Sequence, residues 1–158
     1  MDYDVWGPGS DSVGPNAPLD DSCAPTQAGS AMSAVEAWTN AGFPADKIIL
    51  GVASYGHSYH VNSSAAYDAS GKIHPYVPYN ETLQPAGDKW DIVSSVDACG
   101  NPNVVDGVFH FWGLIDGGFL NANGTVAKGI DYVFDECSQT VGHSERAFEI
   151  TFIALIEL

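Results

Sequence analysis

Apolar and polar positions divide the 158-residue chain into three textures. In "SAMSAVEAWTNA", residues 30–41, Ala31, Ala34, Val35, Trp38 and Ala41 recur at helical spacing. Ser30 or Ser33 can cap its start, Ser33 with Glu36 fits a capping box, and Gly42 and Pro44 supply stop signals. The spacing predicts a helix over 30–41. "KIILGVASYG" then packs Ile48, Ile49, Leu50, Val52 and Ala53 into a continuous run, the pattern of a strand covered on both faces in a parallel sheet. Residues 1–5 read as a strand stub. The segment from 7 to 29, rich in Gly, Pro and polar residues, reads as a long loop, and such loops often carry function. Residues 1–54 therefore predict strand, loop, helix, strand, a βαβ unit with a right-handed crossover.

After Gly56 the texture becomes aromatic, turn-rich and loosely alternating. "GVFHFWGLIDGGFL" places Val108, His110 and Trp112 on one side and Phe109 and Phe111 on the other. Short antiparallel strands are expected, with a boundary near residue 57 and an α+β module over 57–140. The tail, 141–158, ends in "ERAFEITFIALIEL", apolar and without a turn signal, compatible with helix or strand. Residues 149–156 are a candidate surrogate strand against 47–54.

Charge narrows the partners. Five Lys plus Arg face twenty Asp plus Glu, a net charge of −15. A phosphate backbone requires clustered Lys and Arg, so nucleic acid is excluded, and an anionic membrane surface is disfavoured on the same ground. Neutral polar ligands such as sugars stay open. Residues 1–20 lack a basic start and an apolar run, so no signal peptide is read, and no apolar stretch reaches membrane-spanning length. Three glycosylation sequons, at Asn62, Asn80 and Asn123, point to a secretory origin and an extracellular parent protein. Cys23, Cys99 and Cys137 leave one thiol over if one disulfide forms, and they match no zinc spacing. No metal or cofactor is expected.

"MDYDVWG", "SAMSAVEAWTNAGFPADKIILGVASYGHSY" and "FHFWGLIDGGFLNANG" together resemble glycoside hydrolase family 18, the chitinases, most closely its fungal members. The resemblance covers roughly residues 1–140. It implies a (β/α)8 TIM barrel of which 1–5 and 47–54 are the sixth and seventh strands, with a small α+β module inserted after the seventh. On this reading residues 1–56 are a partial barrel, 57–140 the insertion module and 141–158 an unmatched tail, and the chain is expected to be a fragment or a product begun at an internal Met.

The resemblance implies chitin or chito-oligosaccharide as ligand and substrate-assisted, retaining hydrolysis of β-1,4-linked N-acetylglucosamine polymers, the exception to the two-carboxylate rule. In that mechanism the sugar's N-acetyl oxygen attacks its own anomeric carbon. Tyr3 would hydrogen-bond the N-acetyl group, and Asp4 would contact the same sugar and orient that group, a proximity effect. Read without the family, Asp4 is as readily a turn cap and Tyr3 a core residue. Trp6 could stack on a sugar or pack in a turn, and Tyr55 could line the site or pack. His57 and His60 are read as structural or surface residues, since no neighbouring Asp, Ser or Cys completes a triad, and His74 and His110 add no metal spacing. Among the aromatics of 55–90, Tyr55, Tyr59, Tyr67, Tyr76, Tyr79 and Trp90 could wall a sugar groove, with half or more expected in the module's core. The family's Asp-x-x-Asp-x-Asp-x-Glu motif, whose Glu is the general acid, does not occur in these 158 residues. The chain is therefore expected to be inactive alone. The alternative is a non-catalytic chitin-binding module; an unrelated acidic interaction protein is a third and weaker reading.

Overall fold

The structure, a computed structural model, describes residues 1–91, 96, 98–102, 105–145 and 149–156, with side chains through residue 144. Helix α1 spans Ala31–Asn40, where the spacing predicts it. Its cap differs in detail from the expected pair. The box is Ser30 with Ser33: the Ser33 N–H donates to Ser30 Oγ at 3.2 Å and the Ser30 N–H to Ser33 Oγ at 2.9 Å. Glu36 takes no part, because Ser30, with extended backbone, is the residue at the N-cap position. At the other end Gly42 adopts φ +89°, its N–H donates to Thr39 O, the Phe43 N–H reaches Trp38 O, and the Trp38 and Phe43 rings meet edge to face at 5.7 Å. That is a Schellman stop with its hydrophobic contact.

The apolar run at 47–54 is not the buried strand its composition predicts. Ala45–Lys47 form a 3-10 turn, and the rest pairs with the chain start through one parallel bridge, Asp2 to Val52, in which the Asp2 N–H donates to Gly51 O at 2.9 Å. Ile49 is 94% exposed, and Leu50 and Val52 are also exposed. Only Ala31 of α1 is buried, so the helix's apolar face is largely open too. The physical reason is that the extensive sheet in this chain lies elsewhere and covers neither element.

That sheet begins at Tyr55. It comprises β1 (Tyr55–Asn62), β2 (Val108–His110), β3 (Ile130–Asp135), β4 (Thr140–Glu145) and β5 (Glu149–Ile156) in the order β2-β1-β5-β4-β3, every neighbour antiparallel. Short helices α2 (Ser63–Ala66) and α3 (Phe111–Asp116) follow β1 and β2. The tail is strand: β5 pairs with β1 from His57↔Ala154 to Asn62↔Glu149, not with 47–54 as the surrogate-strand expectation had it. β1 thus spans the position at 57, and β4 and β5 join it in one sheet. The alternation read through Trp112 ends at His110, where the Phe111 N–H bonds Ser54 O and helix α3 begins.

Two cores hold the sheet. Tyr59 and Val61 of β1 pack with Val13, Ala66, Ile73, Val77 and Val133; Phe109 of β2 packs with Leu114, Phe119 and Leu120. Cys23 and Cys137 form a disulfide that ties the 7–29 loop to the turn between β3 and β4. Cys99 lies outside this bridge, on the surface.

Candidate functional site

The parallel bridge places residues 3 and 4 beside the start of β1. There the Asp4 carboxylate accepts from the Tyr55 hydroxyl at 2.7 Å and lies 3.0 Å from His57 Nε2. The Tyr3 ring meets the Tyr55 ring edge to face at 6.1 Å, and Tyr55 meets His57 at 5.8 Å. Tyr55 and His57 are two apart on a strand, so they share a face. Asp4 is exposed, Tyr3 and Tyr55 are half-buried, and His57 is buried. Asp4, Tyr55 and His57, with Gly7, Ser10, Asp106 and Val108, line an open cleft of about 630 Å³.

A buried residue of the long loop sets this geometry. Asn16 is 1% exposed; its Oδ1 accepts the Asp4 N–H at 3.0 Å, its Nδ2 donates to Tyr55 O at 2.9 Å, and its own carbonyl accepts the Val5 N–H. One amide therefore clamps both halves of the site. Asp4 sits at φ +57°, a left-handed conformation that Asp tolerates better than most residues. That backbone turns its carboxylate into the cleft.

Burial opposes ionisation of Asp4, but hydrogen bonds from His57 and Tyr55, with the charge of His57, outweigh it and hold the carboxyl below its usual value. Burial, then the hydrogen bond to Asp4 and its charge, pushes the Tyr55 hydroxyl up. Tyr55 consequently stays a donor. The site presents a fixed anion with a tyrosine beside it, able to accept from a hydroxyl or amide N–H.

Of the sequence-predicted residues, Tyr3, Asp4 and Tyr55 converge. Trp6 does not: it is 6% exposed, wedged against Gly14, where a Cβ would overlap its ring, and meets Tyr76 at 5.7 Å. It has no free face for a ligand. His57, read as a structural or surface residue, is buried and borders the cleft. It lacks a carboxylate neighbour in sequence but has Asp4 in space. His60 lies away from this cleft, on another with Asn62 and Asn80. Tyr59 is core, Tyr79 packs on it at 4.9 Å, Tyr67 donates to Asp131, and Tyr76 donates to Asp135. Asn16 escaped the sequence reading because an isolated Asn in a Gly/Pro-rich loop carries no periodicity; "GPNAP" as a rigid turn around one amide was the available signal.

This is an α+β chain whose site joins a strand end, a buried loop amide and the next strand through one carboxylate. The sequence model of glycosyl hydrolases family 18 matches residues 1–142, and the chain belongs to that family. Its curated relatives include proteins called chitinase-like effectors from Moniliophthora roreri, 48% identical over 144 residues, and Moniliophthora perniciosa, 49% identical over 141. Those matches cover 89% and 87% of this chain but 35% and 32% of the relatives, so the chain spans about a third of their length. Among solved structures, a chitinase from Rhizomucor miehei superimposes with a TM-score of 0.75 at 28% identity, over 99% of this chain and 40% of that one. A mutant family 18 chitinase from Cycas revoluta, solved in complex with (GlcNAc)4, gives 0.64 at 18% over 99% and 34%, a likeness of fold.

Proposed function

We propose that this chain binds chito-oligosaccharides, β-1,4-linked N-acetylglucosamine, in the cleft of Tyr3, Asp4, Tyr55 and His57, and does not hydrolyse them by itself. The observation that carries the reading is the Asp4 carboxylate, held ionised at the mouth of an open cleft by Tyr55 and His57. A carboxylate so fixed accepts from a sugar hydroxyl or an N-acetyl N–H, while the Tyr3 hydroxyl is available to the N-acetyl carbonyl. Membership of a chitinase family, and the GlcNAc tetramer bound by a protein of the same fold, support the choice of sugar.

Substrate-assisted hydrolysis needs the N-acetyl group fixed and the leaving oxygen protonated. These residues serve the first requirement. The general-acid motif that serves the second is not in the 158-residue sequence, and a general acid contributes roughly 10²–10⁴-fold. We read residues 1–5 and 47–54 as neighbouring strands of a (β/α)8 barrel, a reading that the parallel Asp2–Val52 bridge supports. The three sequons support an extracellular setting.

Calorimetric titration of the purified chain with GlcNAc oligomers, beside a fluorogenic chitobioside assay, tests this. Saturable binding without turnover is expected. Absence of binding by a cooperatively melting chain overturns the binding claim; turnover that disappears in Asp4→Ala overturns the claim of inactivity.

A further inference from the structure

A second open cleft, of about 600 Å³, lies at the other end of β1 from Asp4, lined among others by His60, Asn62, Tyr79, Asn80 and Glu81. That volume is within the range of small-ligand sites. Two of the three glycosylation sequons border it, at Asn62 and Asn80.

The cleft has a fixed wall. The Asn80 N–H donates to His60 O at 2.8 Å, which pins that segment against β1. The Tyr79 ring packs edge to face on buried Tyr59 at 4.9 Å, and its hydroxyl accepts the Gly9 N–H at 2.8 Å. Tyr79 is half-buried, so a ring held at both ends still borders the cleft. Because it is already ordered, it costs little further entropy when a ligand settles on it.

Asn62 is placed to supply that ligand. It is two residues from His60 on β1, and strand alternation puts both side chains on one face. Its Oδ1 accepts the Ser64 N–H at 2.9 Å and the Ser64 hydroxyl at 2.7 Å, which sets the carboxamide and leaves Nδ2 as the outward group. Asn80 lies in an irregular segment that imposes no such alignment.

We propose that this cleft seats the first sugars of an N-linked glycan carried by Asn62, with Tyr79 as the surface on which a pyranose ring rests. Attachment joins Asn62 Nδ2 to C1 of N-acetylglucosamine; the nitrogen loses one proton and the pyrophosphate of a lipid-linked donor leaves. The occupant is neutral and carries apolar C–H faces suited to a tyrosine ring, and the Glu81 carboxylate can accept from its hydroxyls. Tethering raises the effective concentration of the sugar at the cleft, so a weak contact suffices to hold it. Through the Tyr79 hydroxyl, the seated sugar also steadies Gly9, which lines the Asp4 cleft. The proposal is independent of the sugar-binding reading of that cleft.

The test uses chain secreted from a eukaryotic host as parent, Asn62→Gln, Asn80→Gln, Tyr79→Leu and the double variants, with occupancy read by mass. Asn62→Gln removes a turn bond as well as the glycan, so the reading is a mutant cycle. Asn62→Gln should lower the melting temperature by roughly 2–4 °C more in the parent than in Tyr79→Leu, and Asn80→Gln should show no such difference. Hydrogen exchange at Gly9 and Asn80 should be slower in the parent than in Asn62→Gln. An unoccupied Asn62, equal drops in the two backgrounds, or a Tyr79-dependent drop that follows Asn80 instead overturns the proposal. Should Tyr79→Leu not fold, Gly9 exchange in parent and Asn62→Gln decides: slower exchange in the parent supports the seat, and equal exchange overturns it.

Discussion

Asp4 and His57 are 53 residues apart in the chain, yet Asp4 Oδ1 and His57 Nε2 lie 3.0 Å apart. The contact needs two independent placements. The parallel bridge brings the chain start alongside residues 51 and 52, and Asn16 ties Asp4's backbone to that of Tyr55. The site is therefore a property of how two extended segments and one loop amide meet.

Removing the charge of Asp4 should weaken ligand binding without unfolding the chain. Asp4→Asn retains a residue that tolerates φ +57°, and the position is exposed. We expect roughly tenfold weaker chito-oligosaccharide binding, the scale of one charged hydrogen bond, with a melting temperature close to the parent's. The folded carboxyl titrates below its ordinary value. Its contribution is therefore fully present above that ordinary value and is lost only as pH falls through the lower, folded one. Titrations at pH 7 and pH 5 should show no loss of affinity attributable to Asp4.

Asn16→Ala should cost more stability than any change at the cleft surface. It leaves the Asp4 N–H and the Tyr55 carbonyl without their buried partner. About 1–3 kcal/mol is expected for such unsatisfied groups, read as a lowered urea midpoint. Sugar affinity should fall as well, because Asp4 and Tyr55 lose their common clamp.

The disulfide should dominate the response to reductant. Cys23–Cys137 links residues 114 apart in sequence, and closing a loop of that size restricts the unfolded chain by about 3–5 kcal/mol in the loop-entropy account. The melt of the parent chain in dithiothreitol and that of Cys137→Ser should both shift downward, by similar amounts, relative to the oxidised parent.

His143 should make the fold acid-sensitive. It is buried on β4, and burial lowers its imidazole from the ordinary 6.5 to about 4. The unfolded chain then binds a proton between those two values while the folded chain does not, so stability declines as pH falls from about 6.5 toward 4. The full loss is about 3 kcal/mol. Urea melts at pH 7 and pH 4 should differ by that much more in the parent than in His143→Leu.

Glycosylation should follow the sequons. At each of Asn62, Asn80 and Asn123 the side-chain oxygen accepts both the N–H and the hydroxyl of the Ser or Thr two residues on, and each Asn is exposed. Expression through a eukaryotic secretory route should give a mass that drops on enzymatic deglycosylation, and each Asn→Gln change should remove one step.

Local sequence sufficed for what local physics decides. Helix α1, its Gly42 stop, the polar loop at 7–29, the short strands after residue 55 and the family resemblance through "MDYDVWG" and "FHFWGLIDGGFL" were all legible, since caps, left-handed glycines and periodicity act within a few residues. Tertiary structure alone decided the rest. Whether the run at 47–54 is buried depends on what packs against it, and here Ile49 stays in solvent while β5 pairs with the following strand. Trp6 turned inward on Gly14, and His57 found its carboxylate across 53 residues, because neither a packing partner nor a hydrogen-bond partner is encoded by spacing along the chain. Residue type tells which groups can do chemistry. Only the register of strands and the turn of a loop tell which of them meet.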